Sequence, residues 1–448
     1  MKADRPRPNG SDLWIVGTAA GAALAYELLL LRVFAFSQWH HFASLAISLA
    51  MLAFGVAGTT LVLAGRRVAR AGDSFFPRAL VIGSVGMVVA SLLPRFLSLR
   101  PLFALWDGRE LAKLLLLDFV FFIPFYALAL AIGQVFVRWP EHTARLYAAN
   151  MGGSGVGALA ACLLLGATSL ENALMTVPCV LAVVGAIGAF RAREVLLGGV
   201  SALVAALFIS LLIAGPPSLP VSDFKALAML KDLPGAEVVQ ETPGLRSQLS
   251  IVRADGFRFA PGLSLKWSDS IPSQDALVLD ADRVVPLPRN TDEESLGFLS
   301  ATLGQIPFVL RRQGTVAVLG TGGWSGHLRA PGRPVEWVES DRRVVEAFRQ
   351  WGLPSNVEPR VEYPRRFLAR ARNRYSLIFY EHAAMASDAA GEDYTLTVEA
   401  IRAALTGLES GGILALPLRL EYPPRHMPRL LVMAERALRE SGFERPWD

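Results

Sequence analysis

The chain has 448 residues, of which 52% are hydrophobic and 19% are charged, and its formal net charge is +5. Residues 216 to 448 are close to neutral, so the positive charge comes from the first half, where arginines in short loops are typical of a membrane protein. The sequence contains neither a basic stripe with interleaved aromatic residues nor a zinc-finger motif. It therefore predicts no nucleic-acid partner.

Residues 1–215 are predicted to form a domain of about seven transmembrane helices. A helix needs about 20 apolar residues to cross a hydrocarbon core about 30 Å thick. Runs of this kind occupy residues 13–36, 42–64, 77–98, 111–137, 146–168, 172–190 and 194–214. The first run is too long for a cleaved signal peptide and contains Glu27 and Arg32. The lipid bilayer is therefore an expected partner.

The loops between these runs predict the orientation of the chain. The basic N-terminus and basic loops alternate with loops that lack lysine and arginine, with the 99–112 loop as the exception. The positive-inside rule then places the N-terminus in the cytoplasm. An odd number of helices, here seven, places the C-terminal domain on the opposite side, which is the periplasm for a bacterial inner membrane. A helix count wrong by one would place that domain in the cytoplasm.

Three charged residues within the predicted helices are candidates for a function, since intramembrane charge is costly. They are Glu27, Arg32 and Asp118. A structural ion pair, with Asp118 facing Arg32 across two helices, is the simpler interpretation, and a proton or solute path is the alternative. The fifth run is dense in small residues at helical spacing, which predicts a close contact with another helix.

Residues 216–235 are predicted to be a linker, and residues 236–295 a small antiparallel β subdomain. The segments 237–243, 247–255, 257–263 and 276–287 have strand composition and are separated by glycine and proline. Residues 296–448 then alternate between strand and helix patterns, which predicts a Rossmann-like doubly wound parallel sheet. Its strands are expected at 316–320, 335–339, 361–363, 377–381 and 413–417.

A glycine loop follows the first of these strands and is the candidate cofactor site. It contains Gly320, Gly322, Gly323 and Gly326. Such glycines allow a tight turn and close approach of a ligand to the backbone, and an acidic residue ending the second strand, here Glu339, accepts hydrogen bonds from ribose hydroxyls. Asp341 is expected beside it. The alternative is that the glycines only pack strand against helix.

No metal site is predicted. The two cysteines of the chain, Cys162 and Cys179, lie in apolar runs. His327 and His382 follow strands near the expected pocket mouth but lack a third ligand, so they are interpreted as loop histidines.

The chain resembles the spermidine synthase (aminopropyltransferase) family, in its membrane-fused bacterial branch. The motifs that carry the resemblance are AYELLLLR, LYAANMGGSGVGAL, ALVLDADR, VAVLGTGG with VEWVESDRRVV, YSLIFYE and LESGGILAL. The resemblance implies a small β domain before a Rossmann-like methyltransferase-type fold. It also implies binding of decarboxylated S-adenosylmethionine and transfer of its aminopropyl group to putrescine.

The departures from the family pattern are concentrated at the expected chemistry. They are Trp324 and Ser325 in the glycine loop, Tyr363 for an aspartate, Ala281 for a glycine, Ser295 to Phe298 for a Tyr-His pair, and EHAAM after the fourth strand. In that last segment Glu381 is the one acid retained. Each missing charge-assisted hydrogen bond costs on the order of 1.5–3 kcal/mol, so the sequence predicts a degenerate active site.

The sequence therefore predicts a non-catalytic pseudoenzyme, an accessory or scaffold subunit of a membrane complex. Its expected partners are other membrane or periplasmic proteins, and no cofactor is expected. The first alternative is an active transferase that binds an S-adenosyl-type nucleoside, with Glu339 and Asp341 lining the pocket and Glu381 as the catalytic base. The second alternative is a small-solute transporter that uses the intramembrane charges.

Overall fold

The structure is a computed structural model that divides into two compact units. It describes residues 10–38, 43–70, 75–97, 99–100, 103–290, 292–320, 329–381, 394–418, 422–424 and 426–446. Unit 1 comprises Met1–Ser222 and Pro243–Gln248, and unit 2 comprises Asp223–Thr242 and Leu249–Asp448.

Unit 1 is built from long apolar helices. They are α1 (Gly10–Ser37), α2 (Ala43–Arg70), α3 (Phe75–Leu92), α4 (Gly108–Arg138), α5 (Thr143–Ala167), α6 (Leu170–Arg191) and α7 (Val195–Ala214). Within the described ranges, seven helices are long and apolar enough to cross a membrane, which confirms the predicted helix count. Side chains of the types that cap helices precede α4 and α6. Asp107 accepts a hydrogen bond from the Arg109 amide, and Ser169 accepts one from the Asn172 amide.

Helices α1 and α5 contact each other through glycines. A Cβ atom added at Gly153 would lie 2.1 Å from the carbonyl oxygen of Gly17, and one added at Gly157 would lie 2.0 Å from that of Gly21. Both pairs have i, i+4 spacing, so each helix presents one glycine face to the other. The structure thus contains the close helix contact predicted for the fifth run and identifies α1 as its partner.

The three charged residues of the predicted membrane helices occupy different environments. Arg32 is buried within unit 1, whereas Glu27 and Asp118 are half-buried. The pairing of Asp118 with Arg32 stays a prediction.

Unit 2 begins with the short helix α8 (Ala226–Lys231) and a four-stranded antiparallel sheet in the order β1-β2-β3-β4. The strands are β1 (Glu237–Thr242), β2 (Leu249–Arg253), β3 (Gln274–Leu279) and β4 (Arg283–Pro288). The segment 276–287, predicted as one strand, is a hairpin because Asp280 and Ala281 adopt positive φ angles of 49° and 61° and reverse the chain. The segment 257–263 was wrongly predicted as a strand. Turns occur at both of its ends, and its strand pairing is limited to an isolated bridge between Leu263 and Thr302.

The second sheet of unit 2 is parallel, five-stranded and ordered β7-β6-β5-β8-β9. Its strands are β5 (Val316–Leu319), β6 (Val335–Glu339), β7 (Val357–Val361), β8 (Tyr375–Tyr380) and β9 (Leu408–Ala415). The third strand begins four residues before its predicted start, because its parallel pairing with β6 begins where Val335 faces Val357. This arrangement confirms the predicted parallel-sheet domain.

Helices cover this sheet. They are α9 (Glu293–Leu296), α10 (Ile306–Leu310), α11 (Arg342–Trp351), α12 (Pro364–Arg370), α13 (Val398–Gly407) and α14 (His426–Glu440). One apolar cluster contains Trp337 and Phe379 and joins the two sheets, and a second contains Phe367 and Leu408 on the other face. Both faces are buried, as the continuous apolar strands require.

Candidate functional site

The candidate site lies at the carboxyl ends of three adjacent strands. The strand order reverses between β5 and β8, which is where doubly wound sheets open a crevice for ligands. The amide of Gly320 donates to the Val338 carbonyl at 2.8 Å, and the amide of Glu381 donates to the Leu319 carbonyl at 3.0 Å. These two bonds bring the ends of β5, β6 and β8 to one level, so Gly320, Glu339 and Glu381 share one edge.

Gly320 starts the loop in a conformation that favours glycine, with a φ angle of +89°. The buried indole of Trp337 donates from Nε1 to the Gly320 carbonyl at 3.2 Å, which holds the chain at the point where it leaves the strand. The predicted ligand residues Gly322, Gly323 and Gly326 lie outside the described residues, as do His327 and His382.

Glu339 lies at the end of β6 with 3% of its surface exposed. Its Oε1 accepts from the Asp341 amide at 2.8 Å and from the Ser340 hydroxyl at 3.2 Å. Burial raises the pKa of this carboxyl to about 7, and the positive charge of Arg283 opposes part of that rise. Near neutral pH the carboxyl is therefore close to half protonated.

Asp341 has a structural role that its predicted place in the pocket did not include. Its Oδ1 accepts from the Arg343 amide at 2.9 Å, which caps the start of α11, and its carboxylate pairs with the Arg343 guanidinium. Arg343 also donates to the Thr242 carbonyl at 3.2 Å. Asp341 thereby connects α11 to the end of β1.

A buried arginine, Arg329, interacts electrostatically with Glu381. Its side chain is 6% exposed, and its guanidinium donates to the Leu299 carbonyl at 2.8 Å and to the Thr302 hydroxyl. Burial lowers the pKa of Arg329 to about 10, and the charge of Glu381 opposes that fall, so Arg329 stays protonated at neutral pH. The acid predicted as a catalytic base thus interacts electrostatically with a buried cation.

Sequence reasoning missed Arg283 and Arg329. Arg283 ends the motif ALVLDADR but was given no role there, and Arg329 follows the glycine loop outside the quoted motifs. Their roles depend on contacts between distant parts of the chain. Among the described residues, no group of three histidine, cysteine, aspartate or glutamate side chains could hold a metal ion.

Comparison with known proteins gives similar solved structures only. No family model and no curated protein matches the chain. The chain is similar to the crystal structure of spermidine synthase from Thermotoga maritima, with 14% identity and a TM-score of 0.31 over 46% of this chain and 63% of that one. It is also similar to spermidine synthase in complex with the transition-state analogue AdoDATO, with 15% identity and a TM-score of 0.32 over 45% of this chain and 64% of that one. The chain therefore spans a little under two thirds of the length of either structure.

Proposed function

We propose that this protein is a membrane-anchored accessory or scaffold subunit whose spermidine-synthase-like domain does not transfer aminopropyl groups. Seven apolar helices form the anchor, and unit 2 supplies the surface that other membrane or periplasmic proteins bind. The proposal rests on the motifs that resemble the spermidine synthase family and on the altered residues at the expected site of chemistry.

The electrostatic interaction between Glu381 and the buried guanidinium of Arg329, which is held by Leu299 and Thr302, is the observation that carries the proposal. A diamine acceptor carries two positive charges, so its pocket needs carboxylates that are not already neutralised by the protein. A transferase also needs a free base near the attacking amine. Here the positive charge of Arg329 acts on the retained acid, which disfavours binding of a dication at this position.

The proposal predicts that the full chain, purified in mild detergent, does not convert decarboxylated S-adenosylmethionine and putrescine to spermidine. Wild type and a Glu381→Ala variant should give the same background rate, because Glu381 is not a working base. Turnover that Glu381→Ala abolishes would overturn the non-catalytic part of the proposal. The same preparation should contain partner proteins at constant stoichiometry, and recovery of this chain alone would contradict the scaffold role.

The second candidate is binding of an S-adenosyl-type nucleoside without the transfer reaction. The position of Gly320, with its positive φ, at the same sheet edge as Glu339 favours it. Ribose hydroxyls donate best to the ionised carboxylate, so affinity should rise between pH 6 and pH 8 as Glu339 loses its proton at a pKa of about 7. A Glu339→Gln change should weaken binding by about 10-fold or more, the value of a charge-assisted hydrogen bond.

Calorimetric titration of the full chain with S-adenosylhomocysteine tests this candidate, with exposed Glu346→Gln in α11 as the matched control. No binding at either pH would exclude it. The location of unit 2 discriminates between the two candidates, because a cytoplasmic domain has access to nucleosides. Alkaline phosphatase and a fluorescent protein fused separately to the C-terminus report that location, and we propose the periplasm.

A further inference from the structure

A row of exposed apolar side chains runs along one side of residues 303–310. Leu303, Ile306 and Leu310 are spaced at helical intervals, and the two leucines are each 69% exposed. Phe308 points the other way and is buried in the core that joins the two sheets. The segment is therefore amphipathic, with its inner side already packed.

Leu265 extends this row from a neighbouring loop. The Ser264 amide donates to the Ala301 carbonyl at 2.8 Å, and the Leu303 amide donates to the Gly262 carbonyl at 2.9 Å. Gly262 has a φ of +72°, and a Cβ atom there would lie 3.2 Å from the Leu303 side chain, so a glycine permits this close pairing. Leu265, fully exposed, lies in this loop, two residues after Leu263, which bridges to Thr302; Leu265, Leu303, Ile306 and Leu310 are here named the apolar ridge.

Positive charge flanks the apolar ridge. Lys266 and Arg312 are exposed, whereas Arg311 donates to Glu409 at 2.8 Å and is therefore already paired. The segments 262–268 and 303–314 contain no acidic residue, and the exposed Asp269 follows the first of them. Protruding leucines bordered by lysine and arginine are typical of surfaces that lie in the headgroup region of a bilayer.

We propose that the apolar ridge docks on the surface of the bilayer, with its leucines at the boundary of the acyl chains and with Lys266 and Arg312 on anionic headgroups. Contiguous exposed apolar side chains mark an interaction surface, and the basic flank selects an anionic partner. The same chain carries seven helices of membrane length, so a lipid surface is present at high effective concentration. The proposal goes beyond the scaffold function and does not depend on it.

A fluorophore quenched by lipid-borne nitroxide tests this docking in the full chain. Cys162→Ser and Cys179→Ala remove the native thiols, and Leu310→Cys carries the label. The matched control is a label at Val432→Cys, an exposed position of α14 in the same unit. In vesicles of phosphatidylcholine and phosphatidylglycerol, the label at position 310 should be quenched and the label at position 432 should not.

The charge contribution is tested with the combined Lys266→Glu and Arg312→Glu variant. Each basic residue near an anionic surface strengthens binding about fivefold, so the ratio of docked to undocked protein should fall by roughly 25-fold or more. Pure phosphatidylcholine or high salt should have a similar effect on the unaltered protein. Equal quenching at positions 310 and 432 would overturn the proposal. Self-quenching between labelled chains that nitroxide lipid does not affect would overturn it too, because a second copy would then cover the ridge.

Discussion

Replacing Gly157 with valine is expected to destabilise unit 1 by about 3 kcal/mol or more, because the new side chain has no space. A Cβ atom at this position would lie 2.0 Å from the Gly21 carbonyl oxygen and 2.5 Å from its carbonyl carbon. These are backbone atoms of α1, so the clash cannot be relieved by rotating a side chain. Overpacking typically costs 1–3 kcal/mol, and a rigid backbone contact belongs at the upper end or above it.

Gly155 provides a matched control for this change. It lies two residues away in α5, and a Cβ atom there would meet nothing within 4 Å. Thermal unfolding of the detergent-solubilised chain, followed by the loss of the monodisperse peak in size-exclusion chromatography, should give a midpoint roughly 5–10 °C lower for Gly157→Val. Gly155→Val should unfold near the wild-type midpoint. Equal midpoints for both variants would mean that α1 and α5 are not in glycine contact.

Replacing Glu339 with glutamine is expected to stabilise unit 2 at pH 8 and to reduce its dependence on pH. The folded-state pKa of about 7 exceeds the ordinary value of 4.5 because the carboxyl is buried. The stability that the protonated Glu339 carboxyl contributes is therefore fully present below about pH 4.5, and it is lost as the pH rises through about 7. The difference between these two pKa values corresponds to about 3 kcal/mol of unfolding free energy.

Glutamine is suited to this test because its amide oxygen can still accept from the Asp341 amide and the Ser340 hydroxyl. It carries no charge at any pH, so its buried form avoids the desolvation cost of the carboxylate. The measurement is the free energy of unfolding of wild type, Glu339→Gln and Glu346→Gln at pH 5.5 and pH 8. If all three lost the same stability between these pH values, Glu339 would not be buried as the structure places it.

The edge of the sheet where the candidate residues lie could be predicted because parallel strands bring their carboxyl ends together. Gly320 and Glu339 end neighbouring strands, and hydrogen bonds across the sheet hold these ends at one edge. Their role in binding a ligand stays a prediction. The use of Asp341 as a helix cap and the electrostatic interaction of Arg329 with Glu381 were not predicted. Arg343 lies in a quoted motif without an assigned role, and Arg329 lies outside the quoted motifs.

The sequence by itself determined the elements whose signals are local. Seven apolar runs specify seven helices because each run alone satisfies its backbone hydrogen bonds, and alternating strand and helix patterns specify a parallel sheet. Only the tertiary structure decided that α5 meets α1, that Asp280 and Ala281 divide one apolar run into a hairpin, and that Arg329 interacts electrostatically with Glu381. The hairpin depends on backbone angles that the apolar composition of the run does not specify. The helix contact and the charge interaction join residues far apart in the chain, so the residues next to them in sequence do not indicate them.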